Sequence, residues 1–380
     1  MLENIFSFID TNRDKYVAFL KEICSFEARA HEKEDIDKMV DYIENFAKNE
    51  NMSVKRTRFE KCGDFLTIDI NETAEKSYVF MAHMDTVHDK GVFGYPAVRI
   101  EGDKMIGPGT IDCKGGIAIG LFTLKALLES GYTKHARLIL TSDEEVSNTL
   151  GGEEEMTFFK ESARTFKGAL NCEISTDNEV VLSRKGILRY RIDISGKGGH
   201  SGIDYFNTSN AVLEAAHKII ELQKHSVVGG NTYSCNIMNG GSVGNIIPEK
   251  CSFVLDIRAN TRSGMTEAEQ LVEEITNKSY VSGTTAKAIK LSSRIPMVKN
   301  DETLNLFNRL QTICEKYNLS KLKAVESGGG SDSAYTQAAG IPSICGLGGV
   351  GEFCHTNREY IDIKSIAERT KLLSAFCVEF

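Results

Sequence analysis

A histidine and an aspartate stand two residues apart at the end of an apolar segment. Residues 77–81 are rich in β-forming side chains and follow a charged turn, so they predict a buried strand that leads to His83 and Asp85. Side chains at positions i and i+2 of an extended chain point the same way. His83 could therefore bind a metal ion while Asp85 orients its ring. A structural histidine at a strand end is the alternative, and the pair alone does not decide between them.

Carboxylates follow two further predicted strands. Residues 137–142 predict a strand that ends in Asp143, Glu144 and Glu145, and a short apolar segment downstream leads to Glu173. An acidic run of this kind is commonly a solvated loop. At the carboxyl ends of strands in an open α/β sheet, however, these side chains would face the crevice in which ligands usually bind.

A glycine-rich segment, residues 107–116, carries Asp112 and leads into an apolar helix predicted over 117–128. Such a loop could bind phosphate at a helix N-terminus. It matches neither the Gly-x-Gly-x-x-Gly pattern nor the Walker pattern, so phosphate binding is disfavoured. The alternative is that the glycines let the backbone hold Asp112 close to another charged group.

Five of the side chains expected at strand ends or in neighbouring loops are candidate metal ligands: His83, Asp112, Glu145, Glu173 and His355. Two imidazoles and three carboxylates suit a pair of divalent ions such as Zn²⁺. One carboxylate that bridges two ions about 3.5–4 Å apart is the common layout of two-metal hydrolases. The sequence does not assign individual ligands to the two ions.

The composition excludes several classes of function. The chain has 380 residues and a net charge of −8, which argues against nucleic acid and anionic membranes as partners. No segment approaches the roughly 20 apolar residues of a membrane-spanning helix, and no signal peptide is recognisable at the N-terminus. The ten cysteines form no Cys-x-x-Cys pair, and scattered thiols favour a reducing, cytoplasmic location.

The order of predicted elements indicates two domains, one inserted into the other. Strands alternate with helices over residues 1–179, which predicts an α/β fold with a mixed, mainly parallel sheet flanked by helices. Residues 180–291 read as β-α-β-β-α-β, the ferredoxin-like order, and are predicted to form a separate α+β domain. Alternating strands and helices are predicted again over residues 292–380, which we expect to complete the first domain.

Several segments, taken together, resemble the metallopeptidase family M20: residues 83–87, 107–116, 143–145 and 199–202. The motifs occur in the family's order over nearly the whole chain, and the loop 328–335 is most similar to the glutamate carboxypeptidase branch. The resemblance implies a zinc-exopeptidase-like fold with two divalent ions, Zn²⁺ being expected and Co²⁺ or Mn²⁺ the alternatives. It also implies that the inserted domain is a dimerisation or lid domain.

The resemblance further implies a role for each ligand. Asp112 would bridge the two ions, His83 and Glu173 would complete one site, and Glu145 and His355 would complete the other. The peptide bond that follows Asp112 would be cis, as in the family.

Three more residues resemble the catalytic machinery of the family. Asp85 would orient the neighbouring histidine, and Glu144 would be the general base that takes a proton from water and passes it to the leaving amine. Adjacent residues at a strand end point apart, so we expect Glu145 to face a metal ion and Glu144 to face the water. His200 would donate to the oxyanion, often from the other subunit of a homodimer. A histidine in a surface loop is the alternative for His200.

Three residues of the second half resemble substrate anchors. Arg258 offers a fork suited to a free carboxylate, with an ion pair to Asp256 as the alternative. Asn245 could donate to the substrate or serve only in a turn. Gly329, one of the glycines before Ser331, could present a backbone N–H to a terminal carboxylate or merely form a tight loop.

We therefore expect a two-metal hydrolase that cleaves an amide bond next to a free carboxylate, as a carboxypeptidase or small-peptide peptidase. An N-acyl amino acid deacylase is the nearest alternative, because the two activities share all metal ligands. A binding protein whose catalytic site has lost its activity is a more distant alternative. A serine hydrolase would need a nucleophile motif such as Gly-x-Ser-x-Gly, which residues 199–202 do not supply. The other histidines, expected to face solvent, are His31, His88, His135, His217 and His225.

Overall fold

The computed structural model describes residues 1–380 and contains ten α-helices and eighteen strands. The helices are α1 (Leu2–Thr11), α2 (Arg13–Ser25), α3 (Lys33–Asn49), α4 (Lys114–Glu129), α5 (Gly152–Ala163), α6 (Ala211–Lys224), α7 (Arg262–Asn277), α8 (Asp301–Lys316), α9 (Ser333–Ala338) and α10 (Ile363–Glu379). None of them combines the length and the apolar composition that crossing a bilayer requires.

The strands are β1 (Ser53–Thr57), β2 (Phe65–Ile70), β3 (Lys76–His83), β4 (Arg99–Glu101), β5 (Lys104–Ile106), β6 (His135–Thr141), β7 (Gly168–Asn171), β8 (Glu179–Arg184), β9 (Gly186–Ser195), β10 (Gly199–His200), β11 (Thr232–Gly240), β12 (Ile246–Ile247), β13 (Lys250–Ala259), β14 (Thr285–Arg294), β15 (Lys323–Ser327), β16 (Ser343–Ile344), β17 (Gly351–Glu352) and β18 (Tyr360–Asp362).

The chain folds as two compact units. The first comprises Met1–Leu182, Lys299–Glu326 and Ser331–Phe380, and the second comprises Ser183–Val298 and Ser327–Gly330. The dimerisation or lid role expected for residues 180–291 stays a prediction.

A six-stranded sheet in the order β1-β2-β6-β3-β7-β16 forms the centre of the first unit. Strands β6, β3, β7 and β16 run parallel, while β1 and β2 are antiparallel to their neighbours. Strand β3 is buried along nearly its whole length, as expected for a parallel strand covered on both faces. The predicted mixed, mainly parallel α/β sheet is confirmed.

Helix α4 packs closely on this sheet because its sequence is apolar almost all round, and fourteen of its sixteen residues are buried. Gly116 permits a particularly close approach, since a Cβ at this position would lie 2.0 Å from the carbonyl oxygen of Cys172. The N-terminus of α4, which follows the glycine-rich loop, is thereby held against the segment that carries Glu173.

A second, smaller sheet of the first unit has the order β17-β18-β5-β4. Strand β18 pairs antiparallel with β5, with Tyr360 opposite Ile106 and Ile361 opposite Met105. This pairing places the segment before β18, which contains His355, beside the loop that follows β5, which contains Asp112.

The second unit contains a four-stranded antiparallel sheet in the order β11-β13-β9-β14. With α6 and α7 it follows the predicted β-α-β-β-α-β order of a ferredoxin-like fold. The sheet packs one face on these helices, as the alternation of buried and exposed positions along β9 requires.

One histidine expected to face solvent belongs instead to the core of the first unit. His135 is only 2% exposed, and its Nε2 lies 2.6 Å from Oδ1 of Asp69. The pairing of β2 with β6 sets Asp69 opposite Arg137, which donates to the same carboxylate. Burial alone would raise the pKa of Asp69, but the hydrogen bonds from His135 and Arg137 outweigh it and lower that pKa. The prediction that His135 faces solvent is therefore wrong. Its partner Asp69 is 66 residues away in the sequence, and only the pairing of β2 with β6 brings the two together.

Candidate functional site

The parallel strands of the first unit deliver their following residues to one edge of the sheet. His83 is the last residue of β3, Glu145 lies four residues after the end of β6, and Glu173 lies two residues after β7. Asp112 reaches the same place from the glycine-rich loop, and His355 reaches it from the segment between β17 and β18. Since the carboxyl ends of parallel strands meet at one edge, this is the usual ligand crevice of an open α/β sheet.

Asp112 lies between the two histidines. Its Oδ1 is 3.1 Å from Nε2 of His83, and its Oδ2 is 3.1 Å from Nε2 of His355. The peptide bond between Asp112 and Cys113 is cis, as the family resemblance implied. A carboxylate that directs one oxygen to each of two imidazoles has the arrangement of a bridging ligand.

Two overlapping groups of three side chains could each hold a metal ion: His83 with Asp112 and Glu145, and His83 with Cys113 and Glu173. In each group the ligand atoms all lie within 4.8 Å of one another.

The remaining contacts complete the cluster. Nε2 of His355 is 3.4 Å from Oε2 of Glu145, and Nε2 of His83 is 3.8 Å from Oε1 of Glu173. The structure thus brings together all five predicted ligands, and the donor set of imidazole nitrogens and carboxylate oxygens fits divalent ions of the zinc type.

Cys113 is absent from the ligands predicted from the sequence. Its thiol is fully buried and donates to the carbonyl oxygen of Cys172 at 3.2 Å. A sulfur ligand would favour zinc over magnesium or calcium. The adjacency of Cys113 to Asp112 is the only sequence signal that could have marked it.

The charges of the cluster perturb one another strongly. Burial alone would raise the pKa of Asp112, but the hydrogen bonds from His355 and His83 hold it well below its usual value. Hydrogen bonds to Asp112 and Glu145 raise the pKa of His355 to about 11. Burial, together with the negative charge of Asp112, raises the pKa of Glu145 to about 8. A divalent cation would take the place of the protons that these groups share, so that metal binding releases protons.

Asp85 links two parts of the site. Nδ1 of His83 lies 3.1 Å from the carbonyl oxygen of Asp85 and 3.3 Å from Oδ1 of Asp85. Asp85 therefore fixes the imidazole ring and leaves its Nε2 facing Asp112. The Asp85 carboxylate also accepts the backbone N–H groups of Glu144, at 3.3 Å, and Glu145, at 3.0 Å. The predicted orienting contact is present, and the contact with the acidic turn is an addition to it.

Glu144 and Glu145 do not lie on an extended backbone. Strand β6 ends at Thr141, and residues Glu144–Val146 form a single 3₁₀ turn that closes at Ser147 with a φ of 62°. Successive side chains of a 3₁₀ turn diverge by about 120°. The two carboxylates therefore point apart, as expected, although the cause is helical rotation rather than strand alternation.

The buried carboxylate of Asp143 holds the segment that follows this turn. Asp143 Oδ2 accepts the backbone N–H groups of Leu150 and Gly151, at 3.2 and 3.0 Å. Burial raises the pKa of Asp143 and that of Glu155. Asp143 thus holds the backbone that follows the turn and is absent from the metal-ligand groups.

The expectation that His88 faces solvent is wrong. His88 is 6% exposed, and its Nε2 lies 2.6 Å from Oε2 of Glu359. Glu359 is fully buried and was not singled out in the sequence. Their 271-residue separation explains why no local pattern marks the pair. The remaining histidines expected to face solvent are exposed: His31, His217 and His225.

The other predicted site residues lie in the second unit. His200, in β10, is exposed, and its Nδ1 accepts the backbone N–H of Gly202 at 3.2 Å. Asn245 is exposed, and its carbonyl oxygen accepts the backbone N–H of Ser201 at 3.0 Å. The backbone N–H of Gly329 donates to Oγ of Ser327 at 3.1 Å.

Arg258 forms an ion pair with Asp256, which is the alternative role predicted for it. Its Nε donates to Oδ1 of Asp256 at 2.7 Å, and its Nη1 donates to the carbonyl oxygen of Gly328 at 3.2 Å. Arg189 donates to the same Asp256 carboxylate, with Nη2 2.9 Å from Oδ2. The Arg258 side chain is 30% exposed, so part of the guanidinium is still accessible.

The chain is similar to known metallopeptidases and amide hydrolases over most of its length. The sequence profile described as Peptidase family M20/M25/M40 matches residues 79–379. Carboxypeptidase G2 of Pseudomonas sp. (strain RS-16) is 27% identical over 357 residues, which cover 92% of this chain and 85% of that protein. Acetylornithine deacetylase of Buchnera aphidicola is 21% identical over 361 residues, which cover 90% of this chain and 91% of that protein.

A solved structure has the same fold over nearly the whole chain. The aminopeptidase PepT from Bacillus cereus superposes with a TM-score of 0.76 at 18% identity, covering 97% of this chain and 98% of the other. Because the family profile matches most of the sequence, this chain belongs to peptidase family M20/M25/M40 and is a metal-dependent hydrolase.

Proposed function

We propose that this protein is a two-metal hydrolase that cleaves an amide bond next to a free carboxylate, as a carboxypeptidase or small-peptide peptidase. The supporting observation is the Asp112 carboxylate, which directs one oxygen to each of two imidazoles beside two further carboxylates. The similarity to carboxypeptidase G2 over 92% of the chain supports the substrate class.

The ligands divide into two sets that share Asp112. His83 and Glu173 would hold one ion, and Glu145 and His355 would hold the other, Zn²⁺ being the first candidate and Co²⁺ or Mn²⁺ the alternatives. When bound, such a pair lowers the pKa of a water molecule and polarises the scissile carbonyl. Cys113 lies close enough to His83 and Glu173 to contribute to the first set.

Glu144 is the proposed general base. It is adjacent to the ligand Glu145 but points away from it on the 3₁₀ turn, which suits a carboxylate that handles protons rather than metal. Asp85 fixes the backbone of that turn through two hydrogen bonds. Glu144 would accept the proton of the attacking water and then pass it to the leaving amine.

His200, Arg258, Asn245 and Gly329 are the proposed substrate-binding side of the site. An imidazole N–H from His200 would stabilise the oxyanion of the tetrahedral intermediate, in the family arrangement from the other subunit of a homodimer. Arg258, Asn245 and the backbone of Gly329 would bind the free carboxylate of the substrate.

A homodimer formed through the second unit is part of the proposal. Strand β11 is an edge strand of its sheet and exposes Ile237 (54%) and Met238 (42%), which is unusual for a strand that stays in water. Light scattering on the purified chain tests the dimer, and a monomer would remove the reason to draw His200 from a partner. Ten free thiols agree with the proposed cytoplasmic location.

An N-acyl amino acid deacylase is the second candidate function. Its support is the similarity to acetylornithine deacetylase, which covers 90% of this chain. The two functions share the metal ligands and the general base and differ in what lies on the acyl side of the scissile bond. A binding protein without activity is disfavoured because Glu144 and the full ligand set are present.

A substrate panel tests the proposed function directly. The purified chain would be stripped of metal, reloaded with Zn²⁺ or Co²⁺, and assayed on dipeptides, tripeptides and N-acetyl amino acids. We expect hydrolysis of peptides with a free carboxylate, dependent on the added ion. Preference for N-acetyl amino acids would select the deacylase, and failure to bind metal or to cleave any substrate would favour the binding protein.

Arg258→Ala is expected to raise KM for substrates with a free α-carboxylate by about 10–100-fold, because a charge-assisted hydrogen bond contributes about 1.5–3 kcal/mol. Arg189→Ala is the matched control, since Arg189 shares the Asp256 partner but has no proposed contact with substrate. Steady-state kinetics on free and amidated substrates make the measurement. Equal damage with amidated substrates, or in the control, would count against the anchoring role.

A further inference from the structure

One buried carboxylate, Glu359, links three of the five segments that bring metal ligands to the site. Glu359 follows His355 by four residues, and its side chain is fully buried. Its Oε1 accepts two backbone N–H groups of the glycine-rich loop, from Ile111 at 3.0 Å and from Asp112 at 3.2 Å. Its carbonyl oxygen accepts the backbone N–H of Gly107 at 3.3 Å. Glu359 therefore holds the loop at both its start and the residue that bridges the two imidazoles.

The other oxygen of this carboxylate contacts the segment after β3. Nε2 of His88 lies 2.6 Å from Oε2 of Glu359. The ring of Phe93 packs edge-on against His88, with centroids 4.9 Å apart and planes at 88°. His88 follows His83 by five residues, so this contact joins the segment of His83 to the segments of Asp112 and His355.

We propose that Glu359 and His88 are positioning residues of the metal site. Glu359 fixes the backbone of Asp112, and His88 fixes Glu359, so that the Asp112 carboxylate keeps one oxygen directed to each imidazole. This inference rests on the proposed two-metal function, because it concerns the same ligands.

The physical argument is that a bridging carboxylate tolerates little displacement. Each of its oxygens must reach a different ion, so a shift of the loop that improves one contact spoils the other. Groups that orient metal ligands typically change metal affinity by 10–100-fold when they are removed. A buried carboxylate with two N–H donors on one oxygen and an imidazole on the other is well suited to hold such a loop.

The alternative is that Glu359 and His88 form a buried pair that serves stability alone. The first unit offers a matched control in Asp69 and His135, which are also buried and are joined at the same distance of 2.6 Å. The side-chain hydrogen bonds of Asp69 are formed with His135 and Arg137, neither of which is a metal-ligand candidate. A purely structural role predicts that loss of either carboxylate lowers stability while the folded protein binds metal as before.

The experiment measures the affinity of the full chain for Zn²⁺ by competition with a chromophoric chelator, together with urea unfolding of the metal-free protein. Glu359→Ala is expected to lower the affinity for the less tightly bound Zn²⁺ ion by about 10–100-fold. Asp69→Ala is expected to lower the unfolding midpoint but to leave the affinity of the folded protein unchanged. An affinity loss in Glu359→Ala no larger than that in Asp69→Ala would overturn the inference.

Two conservative variants keep the test decisive if Glu359→Ala does not fold. Gln at this position keeps the reach of the acceptor oxygen without the charge, whereas Asp keeps the charge and withdraws the oxygen by one methylene group. We expect Glu359→Gln to bind Zn²⁺ more tightly than Glu359→Asp, and His88→Ala to lose affinity in part. The reverse order of the two Glu359 variants would overturn the inference. If the wild-type chain itself bound no divalent ion, the proposed function would fail first.

Discussion

Glu144→Gln is expected to lower kcat by about 10²–10⁴-fold while the metal content stays near that of the wild type. Glutamine keeps the volume of the side chain but cannot accept a proton from water at neutral pH. Glu144 is 8% exposed and lies on a turn whose backbone is held by Asp85, so the substitution should not move its neighbours. Turnover should fall because the nucleophile is no longer generated and the leaving amine is no longer protonated.

Glu145→Gln is the matched comparison for this variant. Glu145 contacts His355 and belongs to a group of three ligand atoms within 4.8 Å, so its amide form is expected to lose metal as well as activity. Elemental analysis and steady-state kinetics on both variants make the measurement. Loss of metal in Glu144→Gln with retention in Glu145→Gln would exchange the roles of the two carboxylates.

Asp112→Asn is expected to lower the metal content from two ions to one or none and to reduce kcat/KM by at least about 10³-fold. The amide keeps one oxygen but replaces the other with an NH₂ group, which is a donor and cannot bind a cation. Since each oxygen of Asp112 faces a different imidazole, the variant can serve at most one of the two ions. A bridging role predicts this loss, whereas a role at one ion predicts that the second ion stays.

Asp143→Asn is the control for the loss of a buried carboxylate near the site. Asp143 accepts backbone N–H groups of Leu150 and Gly151 and belongs to neither ligand group, so this variant should retain both ions. Metal content by elemental analysis and affinity by chelator competition distinguish the two variants. Retention of two ions in Asp112→Asn would contradict the bridging role.

Much of the fold and the ligand set could be predicted from residue order alone. Apolar segments followed by a histidine or a carboxylate indicated strands with ligands at their carboxyl ends. The geometry of a parallel sheet brings such ends together wherever the strands lie side by side. This is why His83, Glu145 and Glu173 could be grouped from the sequence alone, although they are far apart in the chain.

Other contacts depend on which strands become neighbours, and no local pattern encodes that choice. Asp69 meets His135 and Arg137 because β2 pairs with β6 in one register. The conformation of the acidic turn likewise depends on where β6 ends. The sequence therefore predicted that the Glu144 and Glu145 carboxylates point apart, but it did not predict the 3₁₀ backbone that separates them.

By itself, the order of residues determined the α/β sheet, the ferredoxin-like element order, the five candidate ligands and the family resemblance, because each follows from local periodicity or from short motifs. Tertiary contacts were needed to reveal the buried His88–Glu359 pair and the thiol of Cys113 beside the ligands. The structure also selected the Arg258–Asp256 ion pair, which the sequence offered only as an alternative. The His88–Glu359 contact forms only when segments 271 residues apart pack together and bury both side chains. A carboxylate such as Glu359 acquires its role from the neighbours that folding supplies.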